Sequence, residues 1–187
     1  MLISDTVACP FVILCDSNEQ QPFDFVGIRG NAKQDHKILD VTTRWQCLGR
    51  HPNQLGDYSI DGFVGRCHVE RKSVKDCQGT ILGWGGSRDR FEQELANLAA
   101  IEAPLVVVEG SLDVVLSTSN DHRTREHQVV AKQLLRSIIA FQQDYRVPWV
   151  FADSRRMAEV VTFRWLERYW RKHTEHAARV RRMLSRL

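Results

Sequence analysis

A chain of 187 residues with 43% hydrophobic side chains and a formal net charge of +3 is long enough to bury one good core and too short for two, so a single domain over residues 1–187 is expected. No apolar run approaches the length of a membrane span, and neither a signal-peptide pattern nor a low-complexity tract is visible. A soluble, intracellular protein without a membrane partner is therefore expected. Five cysteines, an odd number without a C-x-x-C pair, point to buried free thiols, and the histidines lack the spacing of a zinc site.

Met1–Pro10 reads as a loosely ordered lead-in. The apolar run Phe11–Cys15 reads as a buried strand ending at Asp16, and Gln20–Asp35 as a polar loop with turns at Gly27 and Gly30. Lys37–Gln46 reads as the next strand, with Ile38, Val41 and Trp45 as its apolar face, before His51-Pro52-Asn53-Gln54 turns the chain.

The following stretch carries the chemistry. Asp57–Ile60 and Arg66–Lys72 read as paired strands joined by a tight turn at Asp61-Gly62. Side chains alternate along a strand, so Glu70 and Lys72 share one face and Arg71 takes the other. Pairing brings Asp57 beside Glu70. Two close carboxylates repel and burying either alone is costly, so the arrangement implies a divalent cation between them, and hard oxygen ligands favour Mg²⁺ or Mn²⁺. Such an ion polarises a phosphoryl oxygen and acidifies a bound water, while Lys72 holds that water or screens the phosphate. This is the apparatus of phosphodiester hydrolysis.

Ser73 reads as a helix N-cap with Asp76 at the third helical position. Asp76 has two readings, a cap alone or a group at the edge of the metal site that orients Lys72 or a water. Arg88–Glu102 reads as a helix with Phe91, Leu95 and Leu98 on one face and Glu92 and Gln93 on the other. Arg88 and Arg90 at its start either reach a phosphate or pair with Asp89 or Glu92. Leu105–Val108 reads as a central strand covered on both faces, Ser111–Leu116 as a short helix, Ser117–Glu126 as a polar loop, His127–Tyr145 as a helix and Val147–Phe151 as the last strand. Strands alternating with helices predict an α/β fold with a mixed sheet.

The last helix, Ser154–Arg186, reads as a basic extension over 154–187, with ten Lys and Arg against three Glu. Phe163, Leu166, Trp170, His173, Ala177, Val180, Leu184 and Leu187 fall at alternating three- and four-residue steps, a seam for helix packing. Its far half outreaches what one domain needs, and so pairs with another chain or lies on DNA. Arg179 and Arg182 are candidates for the second role.

Gly56-Asp57-Tyr58, then Val69-Glu70-Arg71-Lys72-Ser73, then Asp76 resemble the GDY…VERKSxxD signature of the XPF-type nuclease domain, in the PD-(D/E)xK superfamily. Asp16-Ser17-Asn18-Glu19 is similar to the acidic end of that family's first strand. Arg88–Phe91 with Pro104–Glu109 resembles its arginine-bearing helix and the strand that follows, so the resemblance covers about residues 11 to 152. It implies a restriction-endonuclease-like three-layer α/β/α core with a central mixed β-sheet and a long C-terminal helix. It also implies a Mg²⁺-dependent endonuclease acting on branched DNA in repair or recombination. In that family the positions of Asp57, Glu70, Lys72 and Asp76 belong to the active site, the carbonyl of Arg71 adds a metal ligand, and a homodimer forms through helices at the end of the domain. Asp16, Glu19 and Arg71 are additional active-site candidates. Cys77, where the family has an aliphatic residue, and the glycine-rich Gly79–Ser87 depart from the pattern and bear on the substrate rather than the chemistry. A recombination exonuclease or restriction-type enzyme on the same core is one alternative. A catalytically silent DNA-binding partner is another, against which the four active-site residues stand.

Overall fold

A computed structural model describes residues 6–50, 53–117 and 125–185, among which eight strands and five α-helices form; the first strand, Thr6–Ala8, lies in the stretch read as a loosely ordered lead-in. The side chains of Lys33, Glu126 and residues 178–183 lie outside that description, and with them the expectations placed on Arg179, Arg182 and Val180. The strands are β1 (Thr6–Ala8), β2 (Ile13–Asp16), β3 (Ile38–Asp40), β4 (Thr43–Gln46), β5 (Tyr58–Ile60), β6 (Cys67–Lys72), β7 (Ala103–Val108) and β8 (Trp149–Phe151). The helices are α1 (Val74–Leu82), α2 (Ser87–Ala99), α3 (Leu112–Leu116), α4 (Arg125–Tyr145) and α5 (Arg155–Leu184).

Six strands make one mixed sheet in the order β4-β2-β5-β6-β7-β8, and β1 and β3 form a separate two-stranded ribbon. β6, β7 and β8 run parallel, whereas β5 is antiparallel to both β2 and β6. Leu105, Val106, Val107 and Val108 are all fully buried because both faces of β7 are covered. Leu105 and Val107 join Tyr58, Val69, Phe163 and Leu166 on the α5 side. Val106 and Val108 join Phe91, Leu95, Leu134 and Phe141 on the other. The result is the expected three-layer α/β/α core.

Four further expectations change. The turn after β5 is not a two-residue hairpin: residues 61–66 form it, with Gly62 and Gly65 both at positive φ. Lys37–Gln46 is two strands, because the chain leaves the ribbon at Val41-Thr42 and enters the main sheet, so apolar residues on either side of the bend answer to different surroundings. Trp45, on the edge strand β4, is 56% exposed rather than part of an apolar face. The polar loop Gln20–Asp35 buries Phe23, Phe25 and Ile28, held where Tyr58 Oη accepts the Phe23 N–H at 2.8 Å and Glu159 accepts that of Phe25.

The fourth change concerns α5. Phe163 and Leu166 are fully buried, and Phe11 packs on Phe163 and Trp170 at ring-centroid distances of 5.5 and 5.6 Å. The seam therefore does not leave an open apolar stripe at these positions for a second chain. The sheet has a face to cover, and the first half of α5 covers it, each such side chain contributing roughly 2 kcal/mol by burial. Helix α5 is the third layer of the core along this half. Its basic residues are also partly neutralised there, since Arg155 pairs with Glu109, Arg156 with Glu159 and Arg164 with Glu167.

Candidate active site

β6 carries the site, and the strand alternation holds. Glu70 is 3% exposed, and Lys72, two residues on, places Nζ 2.5 Å from Glu70 Oε1 and 4.6 Å from the centre of the Phe91 ring. Arg71 takes the opposite face. There its guanidinium meets Glu19 through two bonds of 2.9 Å and Glu109 at 3.1 Å, and Arg155 reaches Glu109 from α5 at 2.6 Å.

Asp57 is set beside this strand end by main-chain bonds on both sides. Its N–H donates to Val69 O at 2.9 Å, its carbonyl accepts from Asp16 N at 2.7 Å, and its Oδ2 accepts the Arg71 N–H at 2.8 Å. Gly56 makes the approach possible: at φ +101° it sits where a β-carbon would stand 3.1 Å from the Glu70 nitrogen.

A cleft of about 270 Å³ opens here, lined among others by Glu70, Lys72, Thr80, Ser87, Arg90 and Glu94. Glu94, from α2, is 8% exposed, and its Oε2 lies 4.0 Å from Lys72 Nζ. Burial, and then the charge of Glu70, push the carboxyl groups of both Asp57 and Glu94 well above the usual range. For Lys72 burial opposes the charge, but Glu70 and Glu94 outweigh it and raise its pKa. Lys72 is therefore a cation among three acids.

This acid surplus suits a divalent cation. Glu70 Oε2 and Glu94 Oε1 are buried without a hydrogen-bond partner in the protein, and carboxylate oxygens are the donors Mg²⁺ and Mn²⁺ prefer. Among the described residues no three His, Cys, Asp or Glu form a group that could hold a metal by themselves. Mg²⁺ seldom needs one, because one or two carboxylates with waters and substrate phosphates complete its shell.

The structure assigns the other expected residues as follows. Asp76 is exposed and caps α1: its N–H donates to Ser73 Oγ at 3.1 Å, and that hydroxyl donates back to Asp76 Oδ2 at 2.6 Å. Asp16 is committed to the main chain, with Oδ1 accepting from Asn18 N and Oδ2 from Leu48 N, both at 2.7 Å. Glu19 faces Arg71 rather than the cleft. Arg88 and Arg90 separate. Arg88 bonds Glu92, the Ile81 carbonyl and Ser137 and lies over Phe141, tying α1, α2 and α4 together, while Arg90 lines the cleft. Cys77 is buried and free, its thiol pushed up to about 12 by burial, and fills core space as an aliphatic side chain would.

Glu94 was not among the expected residues. A signal was present: Phe91, Leu95 and Leu98 mark the buried face of α2, and Glu94 falls on it, one charged group on an apolar stripe.

The ERCC4-domain family model matches residues 40–163, which hold Asp57, Glu70, Lys72 and Asp76. The chain belongs to this family. Among solved structures, XPF from Aeropyrum pernix superimposes with a TM-score of 0.53 at 19% identity, over 91% of this chain and 69% of that one. The same protein in complex with DNA gives 0.56 at 17% identity, over 87% and 66%. At these identities the likeness establishes the fold, a restriction-endonuclease-like α/β/α core around a mixed sheet. No curated protein matches. Among the described residues of this ERCC4-domain chain no helix is long and apolar enough to cross a membrane.

Proposed function

We propose that this ERCC4-domain protein is a divalent-metal-dependent endonuclease that hydrolyses phosphodiester bonds in branched duplex DNA, at flaps, forks or junctions, in repair or recombination. The observation that carries the reading is the convergence of Asp57, Glu70 and Lys72 at the end of β6, beside a cleft lined by Arg90. XPF from Aeropyrum pernix has been solved in complex with DNA, which supports DNA as the partner.

Asp57 and Glu70 would hold Mg²⁺ or Mn²⁺, and the bound ion supplies a polarised phosphoryl oxygen and an acidified water. Lys72, kept charged by its acid neighbours, donates hydrogen bonds to a phosphate oxygen or to the attacking water and does not act as a proton acceptor. Phe91 and Glu70 hold its ammonium in place. Arg90, exposed on the cleft wall, neutralises a phosphate of the bound strand.

The proposal includes a homodimer joined through the end of α5 that continues past the sheet, where Leu184 is 64% exposed. Light scattering that gives one monomer mass at micromolar concentration removes the dimer and leaves the nuclease reading intact. The nuclease itself is tested by incubating the protein with Mg²⁺, and separately with Mn²⁺, and labelled flap, fork, junction, single-stranded and plain duplex DNA. Internal cuts near the branch, stopped by EDTA, are expected. Stepwise digestion from ends would instead make the enzyme an exonuclease, and no cleavage with either ion would leave a silent DNA-binding subunit.

A further inference from the structure

Glu94 contributes a second buried negative charge on a cation that already has one. Lys72 is paired with Glu70 at 2.5 Å, and Glu94 stands 4.0 Å away, at the limit of an ion pair. Both carboxylates therefore flank one ammonium, and burial followed by the charge of Glu70 raises the pKa of Glu94. One oxygen of each, Glu70 Oε2 and Glu94 Oε1, is buried with nothing to bond. The rest of the buried face of α2 is apolar, formed by Phe91, Leu95 and Leu98. An acid kept on such a face, directed into a polar cleft and against another acid, is stable when a positive charge stands between the two.

We propose that Glu94 is a metal-ligating residue of this protein, sharing a divalent cation with Glu70, while water and phosphate oxygens complete the shell. The site then draws on α2 as well as on the β5–β6 pair, so a change in how α2 packs on the sheet would alter ion affinity without touching the strand motif. This inference rests on the metal-dependent reading above, and its test separates the two.

Mn²⁺ binding without DNA is measured by calorimetry, and melting with and without Mn²⁺, on wild type, Glu70→Gln and Glu94→Gln. Glutamine keeps the shape and can donate a hydrogen bond to the remaining carboxylate, so both variants should fold. Glu94→Gln is expected to melt higher than wild type without the ion, because facing charges are removed. It should also bind Mn²⁺ at least about tenfold more weakly, since losing even an outer-shell partner of a ligand costs about that much, and lose most of the ion-induced rise in Tm. Wild-type Mn²⁺ affinity in Glu94→Gln alongside weak binding in Glu70→Gln overturns the ligand role and leaves the nuclease site standing. A lower ion-free Tm in Glu94→Gln with Mn²⁺ affinity unchanged assigns the residue to the Lys72 ion pair alone and overturns it too. No Mn²⁺ binding by wild type, or none lost in Glu70→Gln, overturns the metal site itself.

Discussion

Gly56 lies against the main chain of Glu70, so closely that a β-carbon on Gly56 would stand 3.1 Å from the Glu70 nitrogen and from the Val69 carbonyl group. Its φ of +101° is also one that side chains rarely adopt. Both constraints fix the neighbouring Asp57 on the Arg71 N–H. Gly56→Ala is expected to lower stability by about 1–3 kcal/mol and to reduce turnover more than DNA affinity, because Asp57 moves with its loop. Paired melts, binding isotherms and cleavage rates check this. Unchanged turnover would show that the site tolerates a displaced Asp57.

Loss of either acid should remove activity and spare the fold. Asp57→Ala and Glu70→Ala are each expected to slow cleavage by roughly a hundredfold or more, as removal of a group acting mainly in the transition state does. In Glu70→Ala the ammonium of Lys72 keeps Glu94 as a partner, so the far-ultraviolet spectrum should match wild type. Cleavage that persists in EDTA would rule out the metal-dependent reaction.

Lys72 has a structural duty beside the chemical one proposed for it. Lys72→Ala leaves Glu70 and Glu94 buried together without a cation, a loss of about 3–5 kcal/mol by the behaviour of broken buried ion pairs. Turnover should disappear while DNA binding stays within a few fold. Added Mn²⁺ should restore part of the lost Tm, which denaturation curves with and without the ion will show; no restoration would place the ion elsewhere.

Arg88 and Arg90, two residues apart, should behave differently. Arg88→Ala breaks bonds to Glu92, Ile81 and Ser137 and is expected to lower Tm with little change in DNA affinity at temperatures where the chain stays folded. Arg90→Ala should leave Tm within a degree or two and weaken DNA binding, reducing the salt dependence by about one phosphate contact. The opposite pattern in a salt titration would reverse these roles.

Acid sensitivity should trace in part to His68. It is fully buried on β6, its Nε2 accepts the Gly65 N–H at 2.9 Å, and burial holds its pKa at about 4 against a usual 6.5, with the charge of Asp16 opposing. The unfolded chain takes up a proton near pH 6.5 and the folded chain only near pH 4. The contribution of neutral His68 is therefore present above pH 6.5 and lost as pH falls through 4, by at most about 3 kcal/mol. Melting of wild type and His68→Gln across this range measures it. Equal slopes in the two proteins would remove His68 as the cause.

Local properties were legible in the sequence itself. The two-residue period of a strand put Glu70 and Lys72 on one face and Arg71 on the other, and the spacing of Ser73 and Asp76 described a cap that forms from four consecutive residues. Most strands and helices were legible for the same reason, but Thr6–Ala8, in the stretch read as a lead-in, forms a strand, and Lys37–Gln46, read as one strand, divides into two. The partners of each face were decided only in the tertiary structure. Phe163 and Leu166 have the same spacing whether they cover a sheet or meet a second helix, and only the open face of the sheet made them core. Arg88 and Arg90 are alike in sequence, and the position of α4 behind one of them set them apart. Glu94 lies 24 residues beyond Glu70 on another element. Nothing local to either residue states that α2 and β6 meet at that point, and long-range packing alone joined the two acids across one cleft.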